Sequence, residues 1–170
     1  MPKHTLDRTD LRILEELQAN ARLTNVELAE RVNLTPSPCL ARVRALEAAG
    51  IIDRYTAEIV PEKLGLNVNV FIHVSLDRQV RNALENFEGA IRALPEVMEC
   101  YLMTGQSDYL LRVLVTDTTA LERLIVDQLA KIDGVANIQS SLALKVVKSR
   151  SRLPAARLQA GQPTRSGSFR

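Results

Sequence analysis

Over residues 1–50 the apolar positions fall into three stripes at helical spacing. Leu11, Leu14 and Leu17 form the first, within 6–20, where Asp7 suits an N-cap and Asp10 stands at the capping-box distance. Leu28, Ala29 and Val32 form the second. Thr24 and Glu27 start it as a capping box, and Asn33 and Leu34 break it. Thr35 then offers another N-cap, Pro36 takes the first helical position, and Pro38 still falls in the first turn, where its N–H would lack a partner. Cys39, Val43 and Leu46 face inward until Gly50 supplies a stop. Two helices joined by so short a turn must cross steeply, as in a helix-turn-helix. The later helix turns Ser37, Ala41, Arg44 and Arg42 outward. A small, polar first turn followed by arginines suits a helix whose N-terminal residues read base edges. An ordinary helical hairpin with a solvated face is the alternative.

The period then changes. Residues 51–60 are rich in β-formers and predict a short strand or wing, ended by Pro61; 61–65 read as a helical turn and hinge. Val68, Val70, Ile72, Val74 and Leu76 alternate strictly, which predicts a strand with one apolar face. Val80, Leu84, Phe87, Ile91 and Leu94 return to helical spacing, ended by Pro95. Residues 97–104 and 109–115 read as strands joined by Gly105, Gln106, Ser107 and Asp108. Leu121, Leu124, Ile125, Gln128, Leu129 and Ile132 predict another helix stopped by Gly134, and 135–147 a last strand. The order β-α-β-β-α-β is the split, ferredoxin-like arrangement, so the fold class is α+β. The sheet face without helices should show Asn69, Phe71, His73 and Ser75, with Tyr101 and Met103. It is too apolar to be merely solvated, which predicts a covering subunit. The expected domains are 1–64, a helix-turn-helix with linker; 65–148, the β-α-β-β-α-β unit; and 149–170, a flexible basic tail.

Charge adds an asymmetry. The chain has 170 residues and a formal net charge of +2, but no acid follows Asp133, while Lys145, Lys148, Arg150, Arg152, Arg157, Arg165 and Arg170 do. The tail is either a solvated end or an aid to DNA affinity. In the first domain Arg31, Arg42, Arg44 and Arg54 cluster around the helix-turn-helix, the local stripe that phosphates require. With 46% hydrophobic residues a core can be buried, yet no run approaches a membrane span, and the N-terminus lacks a secretory apolar core. Cys39 and Cys100 are the only cysteines, which argues against a disulfide framework and for a cytoplasmic protein. His4 and His73 are isolated, so no metal site is expected, and there is no Gly-rich phosphate loop. GQSDY lacks the Gly-x-Ser-x-Gly elbow, and an enzyme is not the reading. Residues 109–115 lack the stacking aromatics of RNA-recognition modules.

From LDRTDLRILEELQANAR through NVELAERVNLTPSPCLARVRALEAAGIIDRYTA to TGQSDYLL and GVANIQSSLALKVVK, the chain strongly resembles the Lrp/AsnC family. The resemblance spans about 6–148. It implies a bacterial or archaeal, nucleoid-associated regulator that binds double-stranded DNA and senses a free amino acid, with no cofactor and no membrane partner. It also implies a homodimer that assembles further, often to an octamer. The DNA-reading helix maps onto 35–48, giving Thr35, Ser37, Pro38, Ala41, Arg42 and Arg44 as contacts. The effector pocket, at a cleft between subunits, maps onto Met103, Thr104, Gly105, Gln106, Ser107, Asp108 and Tyr109, and onto the last strand near Ser140. The chemistry suits an amino acid. Asp108 can pair its ammonium, and the N–H groups of Gly105, Gln106 and Ser107 can hold its carboxylate. The bland alternative for this loop is a well-formed hairpin turn. The rival function is a small-molecule-sensing oligomer without specific DNA recognition.

Overall fold

The structure, a computed structural model, describes residues 5–77, 82–149 and 152–154. Its contacts divide the described chain into two units: one runs to Glu58 and includes the described residues from Lys148 onward, and the other is Ile59–Val147.

The first unit holds α1 (Arg8–Ala19), α2 (Asn25–Arg31) and α3 (Pro36–Ala48). Both expected capping boxes form. Asp10 N–H donates to Asp7 and Asp7 N–H to Asp10, at 2.8 and 3.1 Å. Thr24 and Glu27 exchange the same pair of bonds. Thr35 is the N-cap of α3, but its hydroxyl caps nothing. The usual acceptance is from the second or third helical N–H, and the third residue is Pro38, which has none. Two helices end on Schellman geometry. Gly50, at φ +68°, donates to Glu47 O while Ile51 donates to Leu46 O. Asn33, at φ +59°, donates to Glu30 O while Leu34 donates to Ala29 O. This second stop fixes the turn between α2 and α3.

The core of this unit is Ile13, Leu28, Ala29, Val32, Cys39, Val43 and Leu46. Ile13 is fully buried there, with Leu14 and Leu17 at the margin, whereas Leu11 is buried outside this cluster. The stripe of α1 is thus rotated from the one expected. The strand or wing expected over 51–60 does not form: residues 53–60 are all exposed and none of 51–60 joins a ladder, so β-propensity there found no partner strand.

The second unit opens with a 3₁₀ turn, Pro61–Leu64, closed by Gly65. It continues with β1 (Val68–Leu76), α4 (Ala83–Arg92), β2 (Val97–Leu102), β3 (Tyr109–Val115), α5 (Thr118–Arg123) and β4 (Val135–Leu142). The sheet is antiparallel throughout, in the order β2-β3-β1-β4, the split β-α-β arrangement. Val70, Ile72, Val74, Leu76, Tyr109, Leu111, Val113 and Val115 pack with Phe87, Ile91, Leu124 and Leu129. In the first turn of α4 the buried residue is Ala83, while Leu84, expected on the inward stripe, is half exposed. Val80, expected on the same stripe, lies outside the described residues, as does the tail from 155. The helix expected over 121–132 is a composite. After α5 comes a π turn, Leu124–Gln128, then a 3₁₀ turn, Leu129–Lys131. The wider π turn lets Leu124 and Leu129, five residues apart, both face the sheet. β4 stops at Leu142, short of the expected Val147, and the chain leaves after Ala143 N–H donates to Asn69 O. The other sheet face carries Asn69, Phe71, His73 and Ser75 beside Leu110, Arg112 and Tyr101, by register.

Asn33 gives a direct test of the α2–α3 turn. Its left-handed backbone costs most L-residues about 1–2 kcal/mol. Asn33→Ala should lower stability by about 1 kcal/mol in denaturant unfolding, and Asn33→Gly should not. Equal midpoints for the two variants would contradict this account.

Candidate functional site

On α3, Thr35, Ser37, Pro38, Ala41 and Arg44 are all exposed. Ser37, Ala41 and Arg44 fall at i, i+4 and i+7, on one face. Asn25, in the first turn of α2, holds the start of this helix by donating from Nδ2 to Pro36 O at 2.8 Å. Arg42 lies to one side and is half-buried. Its Nη1 bonds Asp7 Oδ2 at 2.6 Å and Asp10 Oδ1 at 2.8 Å. Asp10 is the one buried charged residue of the described chain, only 2% exposed. Arg42 therefore ties the recognition helix to the N-terminus of α1 rather than standing free toward solvent. Of the other arginines in the cluster, Arg31 pairs with Glu16 and Arg54 with Asp53. Arg44 alone of these four forms no ion pair among the described residues, which leaves its guanidinium available to an external anion.

The clamp has an electrostatic signature. Burial pulls the Asp7 carboxyl pKa up, but the N–H of Asp10 and the Arg42 guanidinium outweigh it and hold it below the usual carboxylate range. A carboxyl depressed on folding stabilises above its unfolded pKa of about 3.9, and that contribution disappears as pH falls through the folded value. The clamp is thus intact at neutral pH and weakens only in acid.

In the second unit the turn between β2 and β3 is built as a pinned loop. Met103 N–H donates to Asp108 O, and Asp108 N–H to Val74 O. Asp108 Oδ2 accepts from Leu76 N–H at 2.7 Å. The β1–β3 pairing ends at Val74 and Tyr109, so this donor lies just beyond the last pair on the β3 edge, and the carboxylate takes the place of a ladder partner. Ser107 Oγ lies 3.1 Å from His73 Nδ1, and Ser75 Oγ donates to Gln106 O at 3.4 Å. Gly105 takes φ +125°, which L side chains rarely adopt. None of the hydrogen bonds among the described residues uses the N–H of Gly105, Gln106 or Ser107. Met103, Thr104, Gly105 and Gln106 are exposed, with Ser107 and Asp108 half-buried.

Two of the expected effector residues lie elsewhere. Tyr109 is 1% exposed, packs on Phe87 with ring centroids 4.6 Å apart, and donates its hydroxyl to Glu88 at 2.9 Å. Burial first, and Glu88 second, push its phenol pKa up. It is a core residue. Ser140 pairs with Ile72, so it shares the helix-bearing face of the sheet, opposite His73 and Ser107. Sequence reasoning missed the pins from His73 and Ser75. Their signal was the alternation of β1, which places both on the helix-free face toward its end.

An exposed recognition helix on a three-helix unit, followed by a split β-α-β unit with a pinned polar loop, defines a DNA-binding regulator that carries a ligand-binding domain. Residues 6–53 match the winged helix-turn-helix DNA-binding family, and residues 69–153 match the Lrp/AsnC ligand binding domain. The chain belongs to the Lrp/AsnC family of transcriptional regulators and is not an enzyme. It is 41% identical to the leucine-responsive regulatory proteins of Salmonella typhimurium and Escherichia coli K12. Each alignment runs over 152 residues and covers 89% of this chain and 93% of the relative. Among solved structures, a transcriptional regulator of Neisseria meningitidis in complex with L-Met is 47% identical, with a TM-score of 0.85 over 88% of this chain and 97% of that one. Escherichia coli AsnC is 27% identical, with a TM-score of 0.81 over 88% and 99%. The helix-turn-helix match favours the DNA-binding reading over the sensing oligomer without DNA recognition. Among the described residues no helix is long and apolar enough to cross a membrane.

The two arginines should separate in experiment. Arg44→Ala should leave stability unchanged and reduce the salt dependence of DNA binding by about one unit of slope. Arg42→Ala should unfold at lower denaturant, because it removes a cation from the buried Asp10, and its deficit should shrink below about pH 4 as Asp7 becomes protonated. A stable Arg42→Ala protein with a reduced salt slope would make Arg42 a phosphate contact instead.

Proposed function

We propose that the protein is a cytoplasmic, amino-acid-responsive regulator that reads operator DNA with α3 and senses its effector at the loop 103–108. The observation that carries the effector site is the loop itself. Its outline is fixed by His73, Ser75 and Leu76, while the N–H groups of Gly105, Gln106 and Ser107 remain unused by the described residues. A free amino acid offers a carboxylate for such donors and an ammonium for the second oxygen of Asp108. Met103 lies beside it to meet an apolar side chain. The leucine-responsive names of the relatives and the L-Met bound to the Neisseria protein support an amino acid as the ligand class. Control of amino-acid metabolism genes follows from that ligand.

The helix-free sheet face supports assembly. Phe71, His73, Leu110 and Tyr101 share it, and Tyr101 is 50% exposed. A second copy covering this face gives a dimer, on which an octamer can be built. Its two copies of α3 would address half-sites about 34 Å apart or a multiple of that. Ser140, on the far side of its own sheet, would serve the pocket of a neighbouring subunit.

Two measurements test these readings. In a thermal-shift screen of the twenty amino acids, the effector should raise apparent stability, by about 2.7 kcal/mol at a hundredfold excess over Kd. The informative variant is Asp108→Asn. Its amide oxygen can still accept from Leu76 N–H, so folding should survive, while calorimetry should show effector affinity reduced at least tenfold. Asp108→Ala would lose both roles at once. Undiminished affinity in Asp108→Asn would reduce the loop to a turn. For assembly, the parent should sediment as a dimer or larger at micromolar concentration, and Phe71→Asp as a monomer; a monomeric parent refutes the interface.

A further inference from the structure

Ser107 brings two polar groups to the pinned loop. Its N–H is used by none of the hydrogen bonds among the described residues, and its Oγ lies 3.1 Å from His73 Nδ1. His73 is half-buried on β1, paired with Leu110 of β3 on one side and Gln139 of β4 on the other. A neutral imidazole nitrogen can accept the proton of a serine hydroxyl, whereas an imidazolium donates from both nitrogens. Protonation of His73 therefore makes Ser107 Oγ the acceptor and turns the hydroxyl proton away from the ring. That proton belongs to the same residue as the unused N–H. An anion held by the N–H is then within reach of the hydroxyl as well.

The surrounding charges give this pair a direction. Asp108 takes Leu76 N–H, three residues and about 10 Å further along β1 than His73. On the same side of the sheet His73 faces Phe71 and Ser75 of its own strand, Leu110 and Arg112 of β3, and Gln139 of β4. Arg112 is already held by Glu99 at 2.9 Å. Bonds from Tyr101 first, and then from Arg112, keep the Glu99 carboxyl below its usual range against the opposing effect of burial. That pair stays ionised between pH 5 and 8, the interval in which imidazole side chains change charge. We propose that the Ser107 hydroxyl is a donor to the carboxylate of the amino-acid effector, and that His73 is the positioning residue that releases this donor on gaining a proton. The proposal rests on the effector reading of the loop 103–108 and deepens it: the carboxylate lies at the His73 and Ser107 end, the ammonium at Asp108. Effector and proton then favour each other's binding, and the preference is reciprocal. Affinity is highest where His73 is protonated and falls to a lower plateau as pH rises through its titration.

The test is calorimetric titration of the full chain with L-methionine and with L-leucine, from about pH 5.5 to 8, each in two buffers of different ionisation enthalpy. The parent should bind about threefold or more tightly at the acid end, where a charge-assisted bond replaces a neutral one. Near neutrality its heat should differ between the buffers, because binding takes up part of a proton. His73→Asn keeps a neutral partner for Ser107 and should lose both the pH dependence and the proton uptake. Ser107→Ala keeps the imidazole without the hydroxyl. Its affinity should fall about tenfold at the acid end and less at the alkaline end. Equal affinities across the range, with equal heats in both buffers, would overturn the role of His73. So would a His73→Asn deficit that is the same at every pH, which a purely structural pin produces. A Ser107→Ala protein that matches the parent in acid would overturn the hydroxyl contact. If sedimentation shows the subunits of the parent separating over the same pH range, the dependence belongs to assembly and the proposal fails. A parent that binds neither amino acid at any pH would instead remove the effector reading itself.

Discussion

A carboxylate in a small hydrophobic unit is tolerable only when a counter-charge reaches it, because an unpaired buried ion costs several kcal/mol. Asp10 is that carboxylate, and Arg42 of α3 reaches it. The same guanidinium also binds Asp7, so the N-terminal cap of α1 and the orientation of α3 become one arrangement. Loss of one partner leaves two anions close together and removes the cation that spans the helices. The exposed face of α3 inherits its direction from this contact. Leu46, Val43 and Cys39 supply the hydrophobic attachment, but apolar packing tolerates small rotations that a two-carboxylate fork does not.

The second unit uses a comparable device at lower cost. The pairing of β1 with β3 ends at Val74, which leaves Leu76 N–H without a ladder partner, and Asp108, just before β3, supplies one. The loop that carries Asp108 is consequently fastened to the central strand at several points. Such fastening is what a binding loop needs, since a ligand then does not have to order the loop on arrival.

Most of the architecture was readable from local pattern. Both capping boxes, the Asn33 and Gly50 stops, the strict alternation of β1 and the β-α-β-β-α-β order all follow from residues close together in sequence. What was not readable depends on distant partners. Arg42 and Arg44 look alike in the sequence, and only the approach of α1 distinguishes a clamp from a free cation. Tyr109 lies next to the loop in sequence, but strand alternation turns it into the core against Phe87. Residues 51–60 have strand-forming side chains, yet a strand exists only where another pairs with it. The π turn at Leu124 could not be foreseen from spacings of three and four, because the sheet selected a spacing of five.

The prolines of α3 have a consequence for how DNA is met. A helix normally begins with four N–H groups that lack partners, and together they draw in a phosphate. Here Cys39 N–H already closes the first intrahelical bond with Thr35 O, and Pro36 and Pro38 have no N–H at all. Only Thr35 and Ser37 keep amide hydrogens at this end. The helix tip is therefore a weak anion trap with a rigid backbone, since ring closure fixes φ at both prolines. A phosphate gains little by settling there, and the tip loses little conformational freedom when it enters a groove. Under the reading proposed above, in which α3 meets operator DNA, that combination directs Ser37 and its neighbours to base edges in the major groove more than to the sugar-phosphate rails.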